Sequence, residues 1–145
     1  MDVATIGFTK TSAENFFTRL KQAGVKKVID VRLHNSSQLA AFAKADDLPF
    51  FLKKLCGADY VHEPLLAPTE DLMTAFKKKK GKWEVFRKDF LGLMAERKIE
   101  SRFKAEQFDG GCLLCSEDQP HHCHRLLVWD YLNGKWGGAL TVNHL

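Results

Sequence analysis

Apolar residues along the chain recur with two spacings, one typical of strands and one typical of helices. Short runs rich in β-branched and apolar residues predict strands at 3–8, 25–31, 59–62, 110–115 and 139–142. Apolar residues three or four positions apart predict helices at 11–24, 38–43, 48–55, 69–80, 83–94 and 120–132. Strands that alternate with helices are typical of parallel sheets. The pattern therefore predicts an α/β fold, in which a mostly parallel central sheet of about four or five strands is flanked by helices on both faces.

Several helices carry local start and stop signals. The segment 11–14 has the spacing of a capping box, and Gly24 follows as a stop. Gly57 ends the helix predicted at 48–55, and the hydroxyl of Thr69 is placed to begin the next helix. Pro120 suits the first turn of the last helix, and Gly134 suits its end.

The composition fits one globular domain over residues 1–145, because 45% of the residues are hydrophobic and no linker or repeat divides the chain. Disorder, collagen and coiled coil are excluded. No window approaches the ~20 apolar residues that cross a bilayer, and the first residues lead directly into a strand. We therefore expect a cytoplasmic protein with no membrane partner. The four cysteines are then free, catalytic or metal-bound, because the cytosol disfavours structural disulfides.

The segment 111–125 is the part of the chain richest in chemistry, with three of the four cysteines and three of the six histidines. If Cys115 ends a strand and Pro120 begins a helix, the loop between them presents Cys115, Ser116 and Glu117 at the carboxyl edge of the sheet. Backbone N–H groups at the start of the helix would lie nearby, and such helix ends bind anions. The net charge of +4 tolerates an anionic ligand but does not identify a nucleic-acid-binding protein.

Other polar residues follow the predicted strands in the same way. Thr9 comes after the first strand, Asp30 and Arg32 end the second, and Tyr60 and His62 lie at the third. The carboxyl ends of parallel strands meet at one edge of a sheet, where α/β proteins bind ligands. We therefore expect segments distant in sequence to converge on one site.

Five short motifs together resemble the domain of unknown function 488 family. The resemblance covers nearly the whole chain and is carried by Thr5-Ile6-Gly7, Asp30-Val31-Arg32, Tyr60-Val61-His62, Cys115-x-Glu117 and Cys123-His124-Arg125. It implies a compact α/β domain and leaves the activity open. Phe8 stands where the family usually has histidine, which indicates altered chemistry or a relative that only binds its ligand.

The leading hypothesis is an enzyme that acts on a small phosphate- or nucleotide-like anion without a cofactor. Glu117 and His124 would transfer protons, and Cys115 would be the nucleophile. Guanidinium groups bind anions in a bidentate manner, so Arg32 and Arg125 would hold the substrate. The remaining candidate substrate-binding residues are Asp30, Thr9, Ser116, Tyr60 and His62.

Other interpretations of the same residues stay open. Cys115 could have only a structural role, as a small buried residue at the end of a strand, and Glu117 could form an ion pair with Arg125. Lys77–Lys80 with the arginines would suit a noncatalytic nucleic-acid or nucleotide binding module, and a structural or regulatory domain is a further alternative. The oligomeric state is left open.

The spacing Cys112-x2-Cys115-x7-Cys123-His124 raises the question of zinc. Residues three apart on a strand point to opposite faces, so Cys112 and Cys115 would not share one ion. We therefore predict no metal site. Asp118, His121 and His122 are expected on the exposed first turn of the last helix.

Overall fold

Five parallel strands form one sheet in the computed structural model, which describes residues 1–117 and 122–145. Their order across the sheet is β3-β2-β4-β1-β5. The strands are β1 Asp2–Gly7, β2 Lys27–Asp30, β3 Asp59–His62, β4 Gly111–Cys115 and β5 Thr141–His144. All pairings are parallel, so the predicted α/β fold is confirmed. The last strand lies two residues later than the sequence pattern indicated.

Helices cover both faces of the sheet. They are α1 Ala13–Gln22, α2 Leu48–Cys56, α3 Glu70–Met73, α4 Trp83–Glu96, α5 Ile99–Arg102 and α6 His124–Lys135. Short 3-10 turns occur at Gln38–Ala43, Pro64–Leu66 and Ala105–Gln107. None of the helices in the two described ranges is both long and apolar enough to span a bilayer.

The alternation of side chains along β4 divides the protein interior into two cores. Leu113 and Cys115 point into a first core with the apolar faces of α4 and α6. Cys112 and Leu114 point into a second core with α1 and α2. This is the expected consequence of a two-residue period in a strand whose five residues are all buried. Cys112 and Cys115 therefore lie on opposite faces, as the sequence predicts.

Most local signals for the helix ends are confirmed. The Ser12 hydroxyl, rather than that of Thr11, accepts the Asn15 N–H at 3.1 Å and caps α1. Gly57 ends α2 with φ of 64°, in the left-handed region that glycine adopts at little cost. The Thr69 hydroxyl accepts the Leu72 N–H at 3.2 Å and caps α3.

Two helical predictions differ from the structure. The last helix, α6, begins at His124, and it continues through Gly134 to Lys135. Pro120, at which the helix was predicted to start, lies outside the described residues, as do Asp118 and His121. The single helix predicted at 69–80 is the short α3 followed by a π-helical turn over Thr74–Lys78.

Candidate active site

The carboxyl ends of four strands meet along one edge of the sheet. In the strand register Gly7 lies opposite Cys115, and Asp30 lies opposite both Leu114 and His62. The polar residues that follow β1, β2, β3 and β4 in the sequence therefore come together at this edge. The predicted convergence of distant segments is confirmed.

The loop after β4 is held against the chain that follows β1. The Thr9 N–H and hydroxyl both donate to the Ser116 carbonyl, at 3.1 and 2.8 Å. The Glu117 carbonyl accepts a hydrogen bond from Arg125 Nη1 at 2.6 Å. Gly7 permits this approach, because a Cβ atom there would lie only 1.4 Å from the same carbonyl oxygen. These contacts fix the first two residues of the loop.

A cavity of about 180 Å³ opens beside this loop, next to the start of α6 and the π-helical turn. Charged, polar and sulfur-bearing side chains share its wall with apolar ones. The lining residues are Arg32, Leu33, His34, Met73, Phe76, Lys77, Phe86, Cys115, Ser116, Glu117, His122, Cys123 and His124. Typical ligand pockets measure roughly 300–1,000 Å³. The cavity therefore suits a small substrate, or the reacting end of a larger one.

Cys115 and His124 form a thiol–imidazole pair in the cavity wall. The Cys115 sulfur lies 3.4 Å from His124 Nδ1, and His124 Nε2 lies 2.6 Å from the Val31 carbonyl oxygen. A carbonyl only accepts hydrogen bonds, so we assign the ring proton to Nε2, which leaves Nδ1 as an acceptor facing the thiol. Burial lowers the pKa of His124 and keeps the ring neutral. The imidazole is therefore placed to take the thiol proton.

Cys123 lies beside Cys115 and makes the two thiols unequal. Burial by itself raises the pKa of the Cys115 thiol, but the Cys123 S–H, the positive charge of Arg125 and backbone N–H groups outweigh burial and lower it. The hydrogen bond to Cys115, together with burial, raises the pKa of Cys123 well above the usual range. The surroundings therefore favour the thiolate at Cys115 over a thiolate at Cys123.

Arg125 supplies a buried positive charge beneath the two thiols. Its side chain is 0% exposed, and among the described residues no carboxylate forms an ion pair with it. Its Nη1 lies 3.5 Å from the Cys123 sulfur, whereas Nε and Nη2 have no hydrogen-bond partner within residues 1–117 and 122–145. A buried cation is costly unless an anion compensates it. The Cys115 thiolate is the nearby group that can do so.

Arg32 is tied to the end of β2, the strand that it follows, by a buried ion pair. Its Nε and Nη2 donate to the two carboxylate oxygens of Asp30, each at 2.8 Å, and Nη2 also donates to the Ala43 carbonyl at 2.7 Å. Asp30 accepts a further hydrogen bond from the Tyr60 hydroxyl at 2.6 Å. Burial raises the pKa of Asp30, but the hydrogen bonds and charge of Arg32 and the Tyr60 hydroxyl prevail and lower it. Asp30 is therefore a carboxylate at neutral pH and binds the guanidinium in a bidentate manner.

One nitrogen of Arg32 remains for a ligand. Nη1 is buried without a hydrogen-bond partner in the part of the chain that the structure describes, and the side chain lines the cavity. The guanidinium also lies over the ring of Phe8, with 5.3 Å between its central carbon and the ring centroid. Phe8 thus contacts the guanidinium of Arg32, and unlike a histidine at this position its side chain cannot transfer a proton.

Glu117 directs its side chain away from Arg125. The carboxylate forms an ion pair with Lys77 at 2.7 Å, and the two side chains are 42% and 44% exposed. The interpretation of Glu117 as the ion-pair partner of Arg125 is therefore wrong, because Arg125 binds the backbone carbonyl of Glu117 instead. The Asp30–Arg32 ion pair that the sequence suggested is present.

The predicted site residues divide into those at the cavity and those behind it. Five of them line the cavity, namely Arg32, Cys115, Ser116, Glu117 and His124. The others do not line the cavity and instead form hydrogen bonds with residues at the edge of the sheet: Thr9, Asp30, Tyr60, His62 and Arg125. His62 contributes through Nε2, which lies 2.8 Å from the Arg32 carbonyl oxygen.

Sequence reasoning missed one side of the cavity. Lys77 was a candidate only for the nucleic-acid binding module, and Phe76 and Phe86 were not among the predicted site residues. His122 lies just before α6 and stacks on Trp83, with 4.9 Å between the ring centroids. The spacing of these residues gave no signal for a shared wall, since they come from three separate segments.

Cys115, Cys123 and His124 bring three donor atoms within 4.8 Å of one another. Two thiolates and an imidazole are ligands that Zn²⁺ accepts, and catalytic zinc sites keep a fourth position open. Cys112 does not join them, because it faces the second core. The Arg125 guanidinium, 3.5 Å from the Cys123 sulfur, repels a divalent cation. The arrangement suits a nucleophilic thiolate better than a metal ion.

Comparison with known proteins gives one match. A model of the family described as "Domain of unknown function DUF488" matches residues 12–132. That range contains β2, β3, β4 and the whole lining of the cavity. No curated protein and no solved structure matches the chain.

Proposed function

We propose that this chain, which belongs to the DUF488 family, is an enzyme in which the Cys115 thiolate attacks a small anionic substrate. The observation that carries the proposal is the Cys115 thiol in the cavity wall, 3.4 Å from a histidine nitrogen, beside a buried arginine that has no carboxylate partner among the described residues. A nucleophilic cysteine requires a positive, partly accessible environment and a neighbouring base. The reducing cytoplasm, where thiols persist, is the proposed location.

The proposed mechanism begins with proton transfer from Cys115 to His124 Nδ1. The Ser116 and Glu117 backbone N–H groups, which lower the pKa of Cys115, would then stabilise the thiolate. Arg32 Nη1 and Lys77 would bind the anionic group of the substrate, which we propose is a phosphate or a similar group. The protonated imidazole would return its proton to the leaving group, and the carboxylate of Glu117, paired with Lys77 at the open side, would act as a general base.

The apolar part of the cavity supports a substrate larger than an inorganic ion. Phe76 and Phe86 stack with 4.8 Å between their centroids, and both line the cavity. An aromatic wall of this kind suits the flat, apolar part of an organic anion, including a nucleotide base. A phosphate-bearing organic molecule is therefore the substrate class that the cavity supports best.

A noncatalytic nucleic-acid or nucleotide binding module is the second candidate. One observation favours it: the lysine run at 78–80 is exposed and continues directly from Lys77 at the cavity. Binding through such a run depends strongly on salt, because each phosphate contact releases counterions. Loss of oligonucleotide binding between low and physiological salt would support this candidate, and salt-insensitive binding of a small anion would support the enzyme.

The first prediction concerns the reactivity of Cys115. We expect iodoacetamide to alkylate Cys115 before Cys112, with a rate that rises with pH around a midpoint below 9.0, the ordinary thiol pKa. The midpoint is lower because the thiolate is the form that reacts, and the lowered pKa of Cys115 makes the thiolate form at a lower pH than in an ordinary thiol. Mass spectrometry of alkylated peptides, followed over time at a series of pH values, measures both the site and the midpoint.

Matched variants decide what this reactivity means. Cys115→Ser should remove the fast alkylation and abolish turnover of any substrate found in a screen of phosphate-bearing metabolites, whereas Cys112→Ser should keep both. If Cys115 reacts no faster than Cys112, the nucleophile is refuted. About one equivalent of metal in the purified protein, lost in Cys123→Ala, would instead identify a metal centre.

The second prediction concerns the anion. Inorganic phosphate should slow the alkylation of Cys115 by iodoacetamide, an uncharged reagent, because phosphate bound near Arg32 and Lys77 blocks the cavity. Charge-assisted hydrogen bonds contribute roughly 1.5–3 kcal/mol, so Lys77→Gln should weaken this protection about tenfold or more. Titration of the alkylation rate with phosphate gives the affinity.

Lys79→Gln is the matched control, because Lys79 is exposed and lies outside the cavity. Unchanged phosphate protection in this variant would support a specific anion site. Equal losses in Lys77→Gln and Lys79→Gln would contradict it and would agree with a diffuse basic surface. Arg32 is unsuitable for this test, because its removal would leave Asp30 buried without a counter-ion.

A further inference from the structure

We propose that Cys115 and Cys123 form a reversible disulfide when the protein meets a hydroperoxide, with Cys115 as the attacking thiol and Cys123 as the resolving thiol. This inference shares the nucleophilic Cys115 with the proposed function but does not depend on the anionic substrate. It assigns a modification site to a second cysteine that the proposed mechanism leaves without a chemical step.

The geometry places the two sulfurs in one group at the cavity. Cys115 ends β4 and Cys123 precedes α6, and both side chains line the cavity although they are only 5% and 2% exposed. Their sulfur atoms lie within 4.8 Å of each other. A disulfide has an S–S distance of about 2.05 Å, so the sulfurs must approach by less than ~3 Å.

The two thiols also differ in the way this chemistry requires. The Arg125 charge and the Ser116 and Glu117 N–H groups stabilise negative charge on Cys115. Cys123 retains its proton and lies 3.5 Å from Arg125 Nη1. The surroundings thus favour negative charge at Cys115, the attacking thiol, over Cys123, the thiol that condenses with the oxidised product.

The reaction proceeds in two balanced steps. The Cys115 thiolate attacks one peroxide oxygen, the O–O bond breaks, and one proton is taken up, which gives Cys115 sulfenic acid and one molecule of water or alcohol. The Cys123 sulfur then attacks the sulfenic sulfur, the S–O bond breaks, and the Cys123 proton leaves with the hydroxyl group as water. Two electrons pass from the two thiols to the peroxide, and a dithiol reductant reverses the change.

The other two cysteines provide internal controls. Cys112 is buried in the second core, where burial raises its pKa, and it does not line the cavity. Cys56 is partly exposed at the end of α2, and its sulfur lies 3.5 Å from the Phe17 carbonyl oxygen. Burial raises the pKa of Cys56 as well. Neither Cys56 nor Cys112 belongs to the group of Cys115, Cys123 and His124 at the cavity.

The experiment treats the reduced full-length protein with one equivalent of hydrogen peroxide and maps its peptides without reduction. We expect a linked pair of peptides containing Cys115 and Cys123, formed at least tenfold faster than oxidation of Cys56, and restored to free thiols by dithiothreitol. In Cys123→Ser, dimedone should trap sulfenic acid at Cys115. Cys56→Ser and Cys112→Ser should form the disulfide as the wild type does.

Oxidation at Cys56 alone, or conversion of Cys115 to sulfinic acid with Cys123 still reduced in the wild type, would overturn the inference. Either result leaves the proposed function intact if iodoacetamide still modifies Cys115 rapidly. Slow alkylation of Cys115 combined with rapid disulfide formation would support the redox pair and contradict the proposal that Cys115 is a catalytic nucleophile. The two proposals therefore fail separately.

Discussion

Asp30→Asn is expected to lower the free energy of unfolding by about 3–5 kcal/mol at neutral pH, because removing one member of a buried ion pair leaves the other uncompensated. The carboxylate of Asp30 is 0% exposed and accepts two hydrogen bonds of 2.8 Å from Arg32. Asparagine keeps the shape but leaves the guanidinium, 3% exposed, without its negative charge. Urea unfolding followed by circular dichroism measures the difference.

Asp59→Asn is the matched control. Asp59 also pairs with a cation, Lys53 at 2.9 Å, but the two side chains are 70% and 66% exposed. Exposed pairs of this kind contribute about 0–1 kcal/mol. Equal losses of stability in the two variants would contradict the assignment of Asp30–Arg32 as the ion pair that holds the edge of the sheet together.

The same pair predicts a pH dependence with a definite sign. The pKa of Asp30 is lowered in the folded state from its ordinary value of 3.8, so the native protein binds fewer protons at this group than the unfolded chain does. The stabilisation is therefore complete above 3.8 and is lost as the pH falls through the lower, folded-state value. The difference between wild type and Asp30→Asn should shrink over that range, and repeated urea titrations at acidic pH would detect it.

Much of the fold could be predicted from sequence because its signals are local. The stripe of Phe86, Phe90 and Met94 is buried on one face of α4, as its spacing of four residues indicates. The two-residue period of β4 correctly separates Cys112 from Cys115. The polar residues at strand ends meet because parallel strands share a carboxyl edge, which follows from the order of the elements.

The bounds of α6 show where local signals fail. Gly134 suggested a stop, but the helix passes through it, and Gly137 and Gly138 follow with φ of 64° and 81°. Two glycines in the left-handed region just after the helix provide a stronger stop than one glycine inside it, whose cost of ~1 kcal/mol is offset by buried neighbours such as Leu132. A residue type suited to a helix end does not determine which of several such residues is used.

The site itself was only partly predictable, since its contacts join segments far apart in the chain. Lys77 and Glu117 form an ion pair although they are 40 positions apart in the sequence. Lys77 lies in a π-helical turn, which no residue pattern predicted. Arg125 donates to the backbone carbonyl of Glu117, and a contact of this kind cannot be predicted from side-chain types because every residue has a backbone carbonyl. The sequence identified which chemical groups are present at the edge of the sheet, whereas tertiary packing decides which of them face the cavity.

Gly7→Ala is expected to reduce the alkylation rate of Cys115 about 100-fold, the cost that a displacement of ~1 Å brings to a positioned reacting group. The new Cβ would lie 1.4 Å from the Glu117 carbonyl oxygen and 3.1 Å from Arg125 Nη1. Because the obstacle is backbone, the loop after β4 must move, and the hydrogen bond between that carbonyl and Arg125 must break. Overpacking costs typically 1–3 kcal/mol of stability, and this contact belongs at the upper end of that range.

Gly134→Ala separates this steric effect from the general effect of replacing glycine. Gly134 lies in α6, and apart from its own helix and chain neighbours no atom of the described residues lies within 4 Å of its would-be Cβ, so alanine there should stabilise the protein by roughly 0.5–1 kcal/mol and leave the reactivity of Cys115 unchanged. Alkylation rates and urea midpoints of the two variants, measured together, test the argument. If Gly7→Ala folds and reacts like the wild type, the close approach of β1 to the loop does not position the thiol, and the support assigned to Arg125 and Thr9 fails with it.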